Sequence, residues 1–119
     1  EVVELADKSG NMDAEKTLIE KYLTKQKESL VIVALDERGK GHSSQSFSTL
    51  LQKQEEQGIS HMVFVIGGAD GLHPDIKNQA TFNLSLSSFT LPHMLVRPII
   101  LEQIYRAATI ASGHPYHRD

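Results

Sequence analysis

The sequence predicts an α/β domain, a mostly parallel sheet flanked by helices, and three observations carry that prediction. Leu30–Leu35 and Met62–Ile66 are continuous apolar runs, the pattern of strands buried on both faces. Segments with strand character alternate with helical ones, as βαβ units require. Both apolar runs end in polar or glycine residues, and open α/β sheets bind ligands at that end of their strands.

Val2–Leu5 reads as a first, short strand and Met12–Glu28 as the helix after it. Leu30–Leu35 forms the next strand, and Ser43-Ser44 then offers an N-cap pair for a helix ending at Gln57, with Gly58 as its stop. Met62–Ile66 is the third strand, Pro74–Ala80 a short helix opened by proline, and Asn83–Ser87 the fourth strand. His93–Ser112 is the last helix; Pro98 lacks an amide hydrogen, so this helix must begin close to Met94 or bend. No repeat, low-complexity tract or long linker divides the 119 residues, which suffice for one domain with one modest core.

Composition excludes several functions. The chain has no cysteine, so a disulfide frame and a thiolate metal site are ruled out, and a reducing compartment fits. No apolar run approaches the ~20 residues of a membrane span, and residues 1–10 are too acidic and polar for a signal peptide. The net charge of −3 argues against coating nucleic acid by bulk electrostatics. Residues 1–60 hold 8 Lys/Arg against 11 Asp/Glu and residues 61–119 hold 4 against 4, so an RNA ligand would need a local patch.

Four features bear on chemistry. Met62–Ile66 runs into Gly67, Gly68 and Gly71, which reads equally as a tight turn with Gly68 or Gly71 at positive φ or as a strand end where a ligand touches backbone. The spacing matches neither G-x-G-x-x-G nor G-K-[ST], so it gives no support for a dinucleotide or triphosphate. On the last helix Arg97 shares a face with Leu101, Ile104 and Ala108, while Glu102, Arg106 and Thr109 cluster on the other side. An arginine among apolar neighbours implies a partner: a carboxylate, a helix end, a second subunit or a phosphate. The ending Gly113-His114-Pro115-Tyr116-His117-Arg118 is aromatic and basic, suited either to stacking on a base and contacting phosphate in single-stranded RNA or simply to fraying. His93, His114 and His117 match no metal-ligand spacing, and no metal is expected.

Taken together, Ala34-Leu35-Asp36-Glu37-Arg38-Gly39-Lys40, the Val63–Leu72 glycine segment, Leu84–His93, Leu101–Ala107 and Gly113–His117 stand in the order and at roughly the spacing of one family. The chain resembles the ribosomal RNA large subunit methyltransferase H family, small SPOUT-class enzymes, over essentially its whole length. The resemblance implies a single trefoil-knotted SPOUT domain over residues 1–119, a homodimer and a cytoplasmic location. It also implies that roughly thirty residues, a strand and a helix, precede Glu1 in the native protein. The knot is not deducible from sequence physics, because knots are essentially absent among folds.

What the resemblance implies about function is specific: transfer of a methyl group from S-adenosylmethionine to N3 of a pseudouridine in 23S ribosomal RNA, within the assembled ribosome. It assigns cofactor contacts to Leu35, Gly67 and Leu86-Ser87-Ser88-Phe89-Thr90-Leu91. Read without it, Leu86, Phe89 and Leu91 are core residues and Thr90 caps the last helix. The resemblance sets the Arg97 helix at the dimer interface, and Arg97, Tyr116 and His117 become catalytic candidates, with His114, Tyr116 and Arg118 on the RNA. Two other readings remain, a SPOUT methyltransferase acting on another RNA and a non-catalytic dimeric RNA- or ribosome-binding module.

Overall fold

The computed structural model describes residues 2–4, 16–17, 19–21, 30–59, 61–66 and 72–118. Its centre is a four-stranded, all-parallel sheet: β1 (Val2–Glu4), β2 (Leu30–Gly41), β3 (His61–Ile66) and β4 (Phe82–Ser85), in the order β1-β3-β2-β4. The helices are α1 (Ser44–Glu56), α2 (Pro74–Gln79) and α3 (His93–Ser112), and residues 16–17 and 19–21 are also helical. The alternation of strands and helices and the parallel sheet are therefore as expected. Leu5 and the rest of the expected Met12–Glu28 helix lie outside the described residues.

Successive side chains of a strand point to opposite faces, and the sheet has a core on each. Val31, Val33, Phe64 and Ile66 pack with Phe47 of α1 and Ile100 and Ala107 of α3. Ala34, Val63 and Val65 pack on the other face with Ile19, Leu72 and Ile76. The apolar run Val63–Ile66 of β3 follows, since these four residues are all buried. Phe47 meets Phe64 edge-on, with ring centroids 6.3 Å apart.

The caps of α1 are those expected. Ser43 Oγ accepts the Ser46 amide at 3.0 Å, and Gly58 at φ +80° ends the helix while its amide donates to Glu55 O. Thr90 does not cap α3. The N-cap there is Pro92, which makes no side-chain cap bond. Pro98 lies inside the helix, one turn beyond its start, and withholds the amide that would bond the Met94 carbonyl.

The largest departure from expectation is β2, which runs to Gly41 rather than stopping at Leu35. Leu35 and Lys40 both stand opposite Leu84 on β4, so the ladder is interrupted and the intervening residues bulge. Gly39 makes the bulge possible: a Cβ there would lie 2.5 Å from the Asn83 carbonyl oxygen, so two backbones touch where no side chain fits. Asp36 ties the bulge to α2 through Lys77 at 3.4 Å and accepts the Arg38 amide.

Candidate functional site

The carboxyl ends of β2 and β4 lie side by side, paired Gly41 to Ser85, and the Leu86–Leu91 loop leaves the sheet there. The loop is ordered by its serines. Ser85 Oγ donates to Ser87 O and Ser87 Oγ accepts the Phe89 amide, both at 2.9 Å. Leu86 and Leu91 are half-buried, Ser88 and Thr90 exposed, and Phe89 is 80% exposed, which corrects its reading as a core residue. Gly67, Gly68 and Gly71 lie outside the described residues.

Beside this loop is a cavity of about 280 Å³. Its walls are His42, Ser43, Ser44 and Phe47 at the start of α1, Leu84, Ser85 and Leu86, and Ile99, Ile100 and Gln103 of α3. An apolar floor with hydroxyl, imidazole and amide groups at its rim suits a small ligand with one flat apolar part and several polar atoms. Ser44 Oγ donates to Gln103 Oε1 at 2.7 Å, and His42 Nδ1 lies 3.0 Å from Ser46 Oγ.

The face of α3 that enters the core carries Val96, Ile100 and Ala107. Arg97, Leu101 and Ala108 occupy the adjoining face and are exposed, with Leu101 at 44%. Of the stripe read around Arg97, Ile104 packs against the protomer's own core, and Arg97, Leu101 and Ala108 face away from it. Thr109, grouped with the polar side in the sequence, is buried and donates to Arg106 O at 2.7 Å.

The C-terminal segment is folded back rather than frayed. Gly113 turns the chain at φ +75°, and the His114 amide donates to Thr109 O at 2.9 Å. His114 Nδ1 accepts the Tyr116 amide at 3.2 Å. The Tyr116 ring lies 4.8 Å below the Arg106 guanidinium carbon and meets Tyr105 edge-on at 4.8 Å. Its hydroxyl donates to Glu102 Oε2 at 2.9 Å. Arg106 grips the same carboxylate from one turn on, with Nη2 at 2.8 Å and Nε at 3.1 Å from Oε2.

Arg106 Nη1 reaches His117 Nδ1 at 3.1 Å. A guanidinium only donates, so Nδ1 is the acceptor and Nε2 carries the proton. Arg106 and Tyr116 hold the Glu102 carboxyl below its ordinary pKa, while the carboxylate raises the Tyr116 phenol and the Arg106 guanidinium.

The structure thus brings Tyr116 and His117 together, with His114 at the turn and Arg118 exposed beside them. Arg97 stands nine residues before Arg106, about 13 Å along the helix axis. Sequence reasoning missed Glu102, Gln103, Arg106 and Ser44 as members of a site. The Glu102–Arg106 spacing was the available signal, since residues four apart on a helix meet.

A family model described as "Predicted SPOUT methyltransferase" matches residues 1–117. The chain belongs to the SPOUT methyltransferase family. Among relatives named Ribosomal RNA large subunit methyltransferase H, that of Allorhizobium ampelinum is 54% identical over 88 residues, 74% of this chain and 55% of that protein. That of Ruegeria sp. is 45% identical over 118 residues, covering 98% of this chain and 74% of the relative. The Rhodopseudomonas palustris protein is 45% identical over 112 residues, or 94% and 68%. The chain spans about half the length of the first of these SPOUT relatives.

Among the described residues of this SPOUT chain, no helix is long and apolar enough to cross a membrane. Nor do three or more His, Cys, Asp or Glu residues among them group as a metal site.

Proposed function

We propose that this chain is the methyl-transferring domain of a cytoplasmic, S-adenosylmethionine-dependent enzyme that methylates N3 of a pseudouridine in large-subunit ribosomal RNA, and that it works as a trefoil-knotted homodimer. The observation that carries the reading is the meeting of the β2 end, the Leu86–Leu91 loop and a cavity at one edge of the parallel sheet in a SPOUT chain. The names of the relatives point to the RNA.

The residues fit the cofactor. Phe47, Leu84 and Leu86 offer an apolar slot, and Ser43, Ser44 and Gln103 offer polar groups at its rim. Leu35, Gly67 and Leu86 through Leu91 would hold it by backbone and apolar contact. When bound, it supplies a methyl group already activated by the sulfonium.

The work left to the chain is to align the target nitrogen and to help remove its imide proton. Tyr116 offers a face for a base, and Arg118 and His114 offer contacts to phosphate or base edges. His117, with its Nδ1 taken by Arg106, presents Nε2–H as a hydrogen-bond donor. Arg97, about 13 Å from Arg106 along the helix axis, completes the site from the partner protomer. A chain of net charge −3 reads an assembled ribosomal surface by shape and a few cations, so naked RNA is a poor substrate.

The test is incubation with labelled S-adenosylmethionine and ribosomes, or bare large-subunit RNA, from a strain lacking the modification, with the methyl group located by mass spectrometry. Methyl at pseudouridine N3 on ribosomes is the expected result. Cofactor binding without transfer to either RNA would leave a different RNA substrate, and no cofactor binding would leave a non-catalytic module.

A further inference from the structure

Glu102 is the point where the tail and the cavity meet. Its Oε2 accepts from the Tyr116 hydroxyl and from Arg106, whose Nη1 in turn holds His117. Its Oε1 accepts Gln103 Nε2 at 2.9 Å, and Gln103 Oε1 accepts the Ser44 hydroxyl at the cavity rim. A hydrogen-bonded line therefore runs from the cavity wall through one carboxylate to Tyr116 and His117 of the tail.

The geometry points to Glu102 as a positioning residue: one carboxylate, held in register by Gln103 and Ser44, fixes Tyr116 directly and His117 through Arg106, so the tail meets RNA already folded. This deepens the methyltransferase reading and rests on it.

The physical reason is entropic. A seven-residue segment beyond α3 is free to fray, and ordering it only on encounter would cost binding energy. The Tyr116 side chain instead has its hydroxyl on Glu102, its ring under Arg106 and its edge on Tyr105, so that cost is met before RNA arrives. Glu102 does not itself line the cavity, which separates positioning from chemistry.

The test is a double-mutant cycle of Glu102→Gln and Tyr116→Phe in the full chain, with three readouts. The first is ultraviolet titration of the tyrosines. The Tyr116 phenol titrates late in the wild type, Tyr116→Phe removes that late step, and Glu102→Gln moves it down toward the ordinary range. The second is cofactor affinity, expected to stay within about twofold, since neither side chain lines the cavity. The third is kcat/KM on ribosomes, expected to fall about tenfold in Tyr116→Phe, at least as far in Glu102→Gln, which also loosens Arg106 and His117, and no further in the double than in Glu102→Gln, where the Tyr116 bond is already weakened.

An unmoved phenol step in Glu102→Gln, multiplying effects in the double variant, or a parallel loss of cofactor affinity would each overturn the proposal. Tyr116→Ala and His117→Ala separate it from the reading beneath it. If they abolish transfer while Glu102→Gln does not, the tail acts in catalysis and Glu102 does not position it. If they leave transfer intact, the tail reading falls and this proposal with it.

Discussion

Among the described residues, Glu102 and Asp75 are carboxylates whose surroundings favour their charge. Arg106 and Tyr116 hydrogen bonds lower the pKa of Glu102, and a 2.7 Å bond from Lys16 lowers that of Asp75. A carboxyl whose pKa is lower in the folded than in the unfolded chain stabilises the fold above the unfolded value, and that contribution is lost as pH falls through the folded value. Stability should therefore decline on acidification through and below the ordinary carboxylate range. Melting temperature measured against pH should show a shallower acid limb in Glu102→Gln than in the wild type. Ser48 illustrates a different residue-scale effect. It is 1% exposed, donates to Ala107 O at 2.9 Å and accepts from Gln52, joining α1 to α3. Ser48→Ala should cost about 1 kcal/mol in urea unfolding, the net worth of such a bond.

At the scale of elements, the β2 bulge and the α3 stripe show what pattern reading can and cannot deliver. Strand character was legible in Leu30–Leu35 because an unbroken apolar run has few alternatives. The continuation to Gly41 was not legible, because Asp36-Glu37-Arg38-Gly39 reads as a polar turn and only the neighbouring β4 backbone makes it a bulge. Gly39→Ala should destabilise the fold by about 1–3 kcal/mol, as forced overpacking does, since its Cβ would meet the Asn83 carbonyl with no flexible side chain to yield. Thermal denaturation of this variant beside Gly41→Ala, where a Cβ meets nothing within 4 Å, isolates the effect. On α3 the helical period was legible but the orientation was not. Val96, Ile100 and Ala107 face the core, and the stripe holding Arg97 and Leu101 lies one position round the helix.

For the whole molecule, the two cores leave an apolar surface uncovered. Met94, Leu95, Leu101 and Tyr105 on α3 are 76%, 50%, 44% and 54% exposed, a patch of the kind that marks an interface. In a two-fold dimer each change is made twice, because the same patch serves both copies. If this face forms the proposed dimer, Leu101→Glu should weaken self-association at least tenfold, read by sedimentation or light scattering, while far-UV circular dichroism stays that of a folded chain. It should also reduce methyl transfer if Arg97 acts across the interface.

The sequence by itself determined the parallel α/β architecture, the caps of α1 and the family. These rest on local signals: apolar runs of strand length, serine before and glycine after a helix, and short motifs in a fixed order. Only the tertiary structure decided which face of α3 meets the sheet, that β2 bulges at Gly39, and that Tyr116 and His117 are held by Glu102 and Arg106. Each of these depends on groups far apart in the chain or on two backbones in contact. Such pairings cost chain entropy to form and leave no periodic trace in the sequence, so they become visible only when the folded protein brings the partners together.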